Sequence, residues 1–164
     1  MIYVTLGTMY LGFDRLVAAA DAVALSTGER VVVQTGLSRR LPERCEYFDF
    51  RPHEAVMELQ REARVIVAHA GIGAVADALA ARRPFIVVPR LRRYGEHTND
   101  HQVEIAEAVA RRGWGRLVSD MAELPGAVLD PPPVAEDYRP AREPLVAAVR
   151  AMVDRVARRK GGGA

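Results

Sequence analysis

The segment Gly95–Gln102 reads GEHTNDHQ and sets Glu96, His97, Asp100 and His101 within six positions of one another. Carboxylates and imidazoles at that density suit three kinds of chemistry: holding a metal ion, exchanging protons as an acid–base pair, or gripping a polar ligand. Zinc takes three or four converging ligands, commonly thiolates or the two histidines of an H-E-x-x-H helical turn. Neither is present here, and Cys45 is the single cysteine, which excludes a thiolate cluster and a disulfide framework. Asn99 or Asp100 also suits the N-cap of a following helix, a role that leaves the first half of the segment unexplained. Gln102 directly after His101 fits a loop that holds hydroxyl groups better than it fits a metal.

A second constellation lies upstream in VIVAHAGIGAVADAL, a strand, a glycine-bearing turn and a helix. Gly71 and Gly73 let backbone approach a ligand, and the free N–H groups that open a helix attract an anion. A tight turn with no ligand explains the glycines equally well. His69 ends the strand just before that turn, and Asp77 lies one helical turn beyond Gly73, within reach of a sugar hydroxyl. TLGTM after the first strand repeats the theme with Gly7 and Thr8, so two turns can face one diphosphate. Gly71-x-Gly73-x-x-Ala76 also matches the dinucleotide fingerprint by letter. However, the acid expected about 20 residues further on falls between Arg90 and Glu96, where a strand ends in arginine.

These residues must be positioned by alternating elements. Strands are expected over Ile2–Gly7, Arg30–Gly36, CEYFDF, RVIVAHAG and PFIVVP, with a short edge strand in GWGRLV. Phe13, Leu16, Val17, Ala20 and Ala24 recur at helical spacing, and helices are also expected in HEAVMELQREA, in GAVADALAA and from Asn99 to Arg112. Continuous Val/Ile strands alternating with helices predict an α/β fold, a Rossmann-like parallel sheet with helices on both faces. Ligands of such sheets bind beyond the carboxyl ends of the strands, where strand order reverses. The nucleotide-binding domain is expected over 1–130, a stiff proline-rich linker over 131–140, an amphipathic helix over 141–160 with Leu145, Val149, Met152 and Val156 on one stripe, and a flexible tail over 161–164.

Composition sets limits. With 164 residues, 49% hydrophobic and 27% charged, the chain can bury a sizeable core, and its formal charge of +2 with scattered arginines argues against a nucleic-acid surface. Lys160 is the single lysine, so a phosphate contact would come from arginine, backbone or hydroxyl. Met1 leads straight into a strand and no apolar run approaches the ~20 residues of a membrane span, which predicts a cytoplasmic protein.

The start MIYVTLGT…FDRLV together with AHAGIG and VPR…GEHTNDHQ resembles the soluble donor-binding subunits of two-component bacterial exopolysaccharide and capsular polysaccharide glycosyltransferases. It is similar to the C-terminal domain of family 28 enzymes of GT-B fold and to the soluble subunit of the dolichol-linked N-acetylglucosaminyltransferase. The resemblance implies the C-terminal half of a GT-B enzyme that binds a UDP-sugar. It places Gly7 and Thr8 near the pyrophosphate, Phe50 and Arg51 beside uracil, and the backbone of Ala70, Gly71, Gly73 and Ala74 on the diphosphate. Asp77 is then expected on the ribose, and His101 and Gln102 on the sugar, with His69, Arg90 and Asp100 in the same donor-binding set. Glu96, His97 and His101 are the catalytic candidates. No cofactor and no metal are implied. The expected reaction moves glucuronic acid, galactose or N-acetylglucosamine to a lipid-linked saccharide acceptor. A membrane-associated, acceptor-binding partner subunit would hold the protein at the inner face of the membrane. A small NAD(P)-binding oxidoreductase and a non-catalytic nucleotide-binding domain are the competing readings.

Overall fold

The computed structural model describes residues 1–139; the expected amphipathic helix over 141–160 and the tail lie outside the described residues. Six parallel strands form one sheet: β1 (Ile2–Thr5), β2 (Val31–Gln34), β3 (Glu46–Phe48), β4 (Val65–His69), β5 (Phe85–Val88) and β6 (Arg116–Leu117), in the order β3-β2-β1-β4-β5-β6. Every residue of β1, β2 and β5 is buried, as expected for strands covered on both faces. Alternation along β1 sends Ile2 and Val4 to one side, where they pack with α1 (Asp14–Thr27) and α5 (Leu124–Leu129). Tyr3 goes to the other, against α2 (His53–Glu62), α3 (Ile72–Ala80) and α4 (His101–Arg111).

Helix α1 buries Leu16, Val17, Ala20 and Val23 as a single stripe and stops at Gly28, whose φ of 65° is left-handed and whose N–H closes on the Ala24 carbonyl. The chain runs β1, α1, β2, β3 outward in one direction, and α2 then carries it back across to place β4 on the other side of β1. The reversal of strand order therefore falls between β1 and β4. The Gly7 and His69–Gly71 turns leave the sheet side by side at that point.

Two sequence expectations change. The proline-rich segment is not a spacer over its described part: Ala135 is buried, Trp114 Nε1 donates to Asp137 at 3.1 Å, and the Tyr138 ring meets Trp114 edge-on at 5.3 Å. Prolines there stiffen a strap laid on the domain, because an aromatic pair gives it something to pack against. The short helix α5, which covers α1 with Leu124, Ala127 and Val128, is absent from the sequence reading, since six residues with an internal glycine carry almost no periodicity.

Candidate functional site

At the β1/β4 reversal a cleft of about 560 Å3 opens, lined at its mouth and walls by Gly7, Thr8, Arg51, His69, Gly71, Gly73, Ala74, Asp77, His97, His101 and Gln102. Three separate stretches of sequence meet there: the turn after β1, the turn into α3, and the loop after β5. Of the expected site residues, Phe50 is exposed and Asp100 turns aside to accept the Arg92 N–H at 2.8 Å. Neither lines the cleft. Ala70 is fully buried beneath it.

His69 is the pivot. A Cβ built on Gly7 or on Gly71 would come within 2.3 Å of a ring atom, so the imidazole fits between two turns that must both be glycine. Gly7 also sits at a φ of 76°, where a side chain is strained. The Gly71 N–H donates to Nδ1 at 3.0 Å, and the Gln102 amide approaches the same nitrogen at 3.4 Å. Nδ1 is thereby the acceptor and Nε2 carries the proton. Burial, reinforced by the Arg90 charge and opposed by the Gln102 contact, pulls His69 down to about 4, so the ring is neutral at physiological pH.

Gly73 has a different reason. A Cβ there would meet nothing within 4 Å, so packing does not require the glycine; the space it spares is the cleft. No side chain caps α3, and its first intrahelical bond is Val75 N–H to the Gly71 carbonyl. The preceding N–H groups, at the positive end of the helix dipole, have no intrahelical partner. The histidines of the β5 loop complete the rim. His101 is bonded through Nδ1 to Asn99 Oδ1, which leaves Nε2 as an acceptor. The His97 ring stands edge-on to His101 at 4.5 Å, and burial, then the neighbouring His101 and Arg90, hold it below the usual imidazole range despite Asp100.

Two expected site residues belong elsewhere. Arg90 is 1% exposed and its guanidinium donates to the carbonyls of Leu6, Leu11, Gly12 and Glu96 at 2.6–3.0 Å. Burial lowers it to about 10, so it stays cationic at neutral pH. Glu96, 4% exposed, receives Arg15 through two 2.9 Å bonds and accepts the Leu91 N–H at 2.9 Å. Its carboxylate is thus held by three internal hydrogen bonds, and neither residue lines the cleft. Both correct the sequence expectation for the same reason: a charge withdrawn from water is bound to whatever the fold can supply.

Sequence reasoning also missed residues that the fold brings in. Thr5, Gln34, His53, Val56 and Gln60 line the cleft floor and α2 wall, and His53 Nδ1 lies 3.7 Å from Asp77 Oδ2. The stripe at 53, 56 and 60 is legible as one helix face; which face it was depends on packing. Among the described residues no group of three or more His, Cys, Asp or Glu side chains could hold a metal ion, and no helix is long and apolar enough to cross a membrane.

Comparison with known proteins bears on the fold and the family. Over 118 residues the chain is 29% identical to a UDP-N-acetylglucosamine--N-acetylmuramyl-(pentapeptide) pyrophosphoryl-undecaprenol N-acetylglucosamine transferase from Synechococcus sp. (strain JA-2-3B'a(2-13)), covering 68% of this chain but 31% of that enzyme. The fold matches the calicheamicin glycosyltransferase CalG4 with a TM-score of 0.60 at 24% identity, over 96% of this chain and 38% of that one. It also matches the solution structure of ALG13 with a TM-score of 0.58 at 17% identity, over 88% of this chain and 93% of that one. The fold is that of GT-B glycosyltransferase C-terminal domains. With the family model for the glycosyltransferase family 28 C-terminal domain matching residues 1–131, the chain belongs to that family.

Proposed function

We propose that this chain is the UDP-sugar-binding part of a glycosyltransferase that moves a hexose derivative to a lipid-linked saccharide acceptor. A membrane-associated partner subunit would bind the acceptor and keep the complex at the inner face of the membrane. The chain spans 31% of the length of the curated relative it matches, and a relative that acts on an undecaprenol-linked acceptor supports the lipid-linked class. The observation that carries the donor assignment is the uncapped first turn of α3 beside Gly73, opening into the cleft at the strand reversal. Backbone N–H groups at a helix N-terminus stabilise a diphosphate both as a bound group and as the leaving group, whose charge grows as the glycosidic bond breaks. They are fixed before reaction and cost no reorganisation.

Around that anchor, His69 offers Nε2–H on the Gly7 side, and Asp77 at the cleft wall suits ribose hydroxyls. His97 and His101 overlook the space beyond the diphosphate. With Glu96 committed to Arg15, these imidazoles are the remaining acid–base candidates. A divalent cation is dispensable on this reading, since helix N–H groups take its place. Calorimetry with UDP, UMP and NADP, each with and without EDTA, tests the proposal. UDP binds most tightly, UMP more weakly for want of the second phosphate, and EDTA changes nothing. NADP binding above UDP, or no UDP binding at millimolar concentration, overturns it.

A further inference from the structure

A second cavity, of about 380 Å3, opens beside the cleft. It is lined by residues 10–12 after β1, by Leu37 and Arg39 after β2 and by residues 94–96 after β5, together with Asp14 and Arg15 of α1. Two loops serve both cavities. Met9 lines the cleft and Tyr10 the groove, and in the same way His97 lines the cleft and Glu96 the groove. The two cavities therefore share a wall at 9–10 and at 96–97. The rim of the groove is apolar and open, with Tyr10, Leu37 and Tyr94 exposed by 68%, 52% and 55%. Single exposed apolar side chains are ordinary, but three around one concavity of ligand size mark a binding groove. The Tyr94 ring is held by the guanidinium groups of Arg15 and Arg93, 5.0 and 4.9 Å from its centre.

The acids of the groove are already engaged. Glu96 is paired with Arg15, and Asp14 Oδ1 accepts the backbone N–H groups of Arg39 and Arg40 at 3.0 and 3.2 Å. The Arg39 guanidinium has neither an ion-pair partner nor a hydrogen-bond acceptor among the described residues, and it lines the groove. Helix α1 also begins there with no side-chain cap, which adds the positive end of its dipole. An aromatic rim around a free cation complements a saccharide that carries an anionic group. The C–H face of a sugar stacks on tyrosine rings, and a guanidinium binds phosphate oxygens in pairs. We infer that the groove holds the saccharide of the lipid-linked acceptor against Tyr10 and Tyr94, with its diphosphate at Arg39. A sugar hydroxyl then enters the cleft across the shared wall, beside His97. The inference rests on the UDP-sugar reading above. It adds that this chain shares the acceptor with the partner subunit, which keeps the lipid.

NMR titration of the isotope-labelled full chain in the presence of UDP tests this. The probes are farnesyl diphosphate and its glucosyl, galactosyl and N-acetylglucosaminyl esters. At least one glycosylated probe shifts the amide signals of residues 10–12, 37–39 and 94–96 while UDP stays bound. Tyr10→Ala and Arg39→Ala each weaken that probe about tenfold, the scale of one lost interaction, and change UDP affinity by less than about twofold. Four results overturn the assignment: no shift with any glycosylated probe, displacement of UDP by the probe, probe affinity untouched by both variants, or farnesyl diphosphate bound as tightly as its glycosylated forms. If UDP binds and the glycosylated probes do not, the groove inference alone fails. If UDP does not bind at millimolar concentration, the UDP-sugar reading fails and the groove inference with it.

Discussion

The loop after β5 feeds two regions that treat charge in opposite ways. On one side of the loop, Arg90, Glu96 and Arg15 form a knot in which nearly every donor and acceptor is matched within the protein, Arg90 Nε excepted. On the other, a few positions along, His97, His101 and the open first turn of α3 leave polar groups facing empty space. The knot ties the β1, β5 and α1 segments together; the cleft keeps its interactions in reserve. A titratable side chain near a binding cleft is thus no sign of chemistry by itself. What distinguishes the two regions is whether the hydrogen-bonding capacity is already used.

The largest effect should come from breaking the knot. Glu96→Ala would strand the Leu91 N–H and leave Arg15 only the Pro89 and Ser119 carbonyls, and removing one member of a largely buried ion pair costs about 3 kcal/mol. The denaturant midpoint should fall accordingly, while the variant, measured where it is still folded, keeps its UDP affinity. Unchanged stability with lost turnover would return Glu96 to the catalytic set.

The cleft should announce itself through pH. His69 takes up a proton near its ordinary 6.5 when unfolded but only near 4 when folded, so the unfolded state binds more protons between those values. Its contribution to stability is complete above about pH 6.5 and is lost as pH falls through 4, on the order of 3 kcal/mol in all. His69→Gln should flatten the unfolding free energy across that window; an unaltered slope would mean the ring is not held neutral.

The smallest effect on folding comes from the glycine that packing does not need. Gly73→Leu should shift stability by no more than about 0.5 kcal/mol, or raise it slightly, because leucine is the better helix former. UDP affinity should drop about tenfold or more as the side chain enters the space spared for the diphosphate, about 1.4 kcal/mol or more on the binding scale. Retained affinity would separate Gly73 from the anion site and leave its absence of packing neighbours without a ligand to explain it.

Much of this organisation is legible from the chain. Buried strands written as VVV and VIVA, helices written at three- and four-residue spacing, and glycines at two strand ends already point to one edge of a parallel sheet, where the cleft opens. The cleft residues Gly7, Thr8, His69, Gly71, Gly73, Asp77, His101 and Gln102 come from those local signals. Glu96 and Arg90 do not sort themselves, because a letter does not reveal its partner. Arg15, the ion-pair partner of Glu96, lies far away in sequence, on the first helix.

The same limit explains Gln60, which is an ordinary polar residue in a helix until packing turns it inward and leaves it unpaired. Periodicity and turn chemistry are properties of neighbours along the chain, so the sequence by itself determined the elements, their order and the sheet edge at which the cleft opens. Burial and pairing are properties of neighbours in space. Only the tertiary structure decided that Gly7 and Gly71 are glycines for the sake of His69, that Gly73 is one for the sake of open space, and that Glu96 holds the fold together rather than facing the cleft.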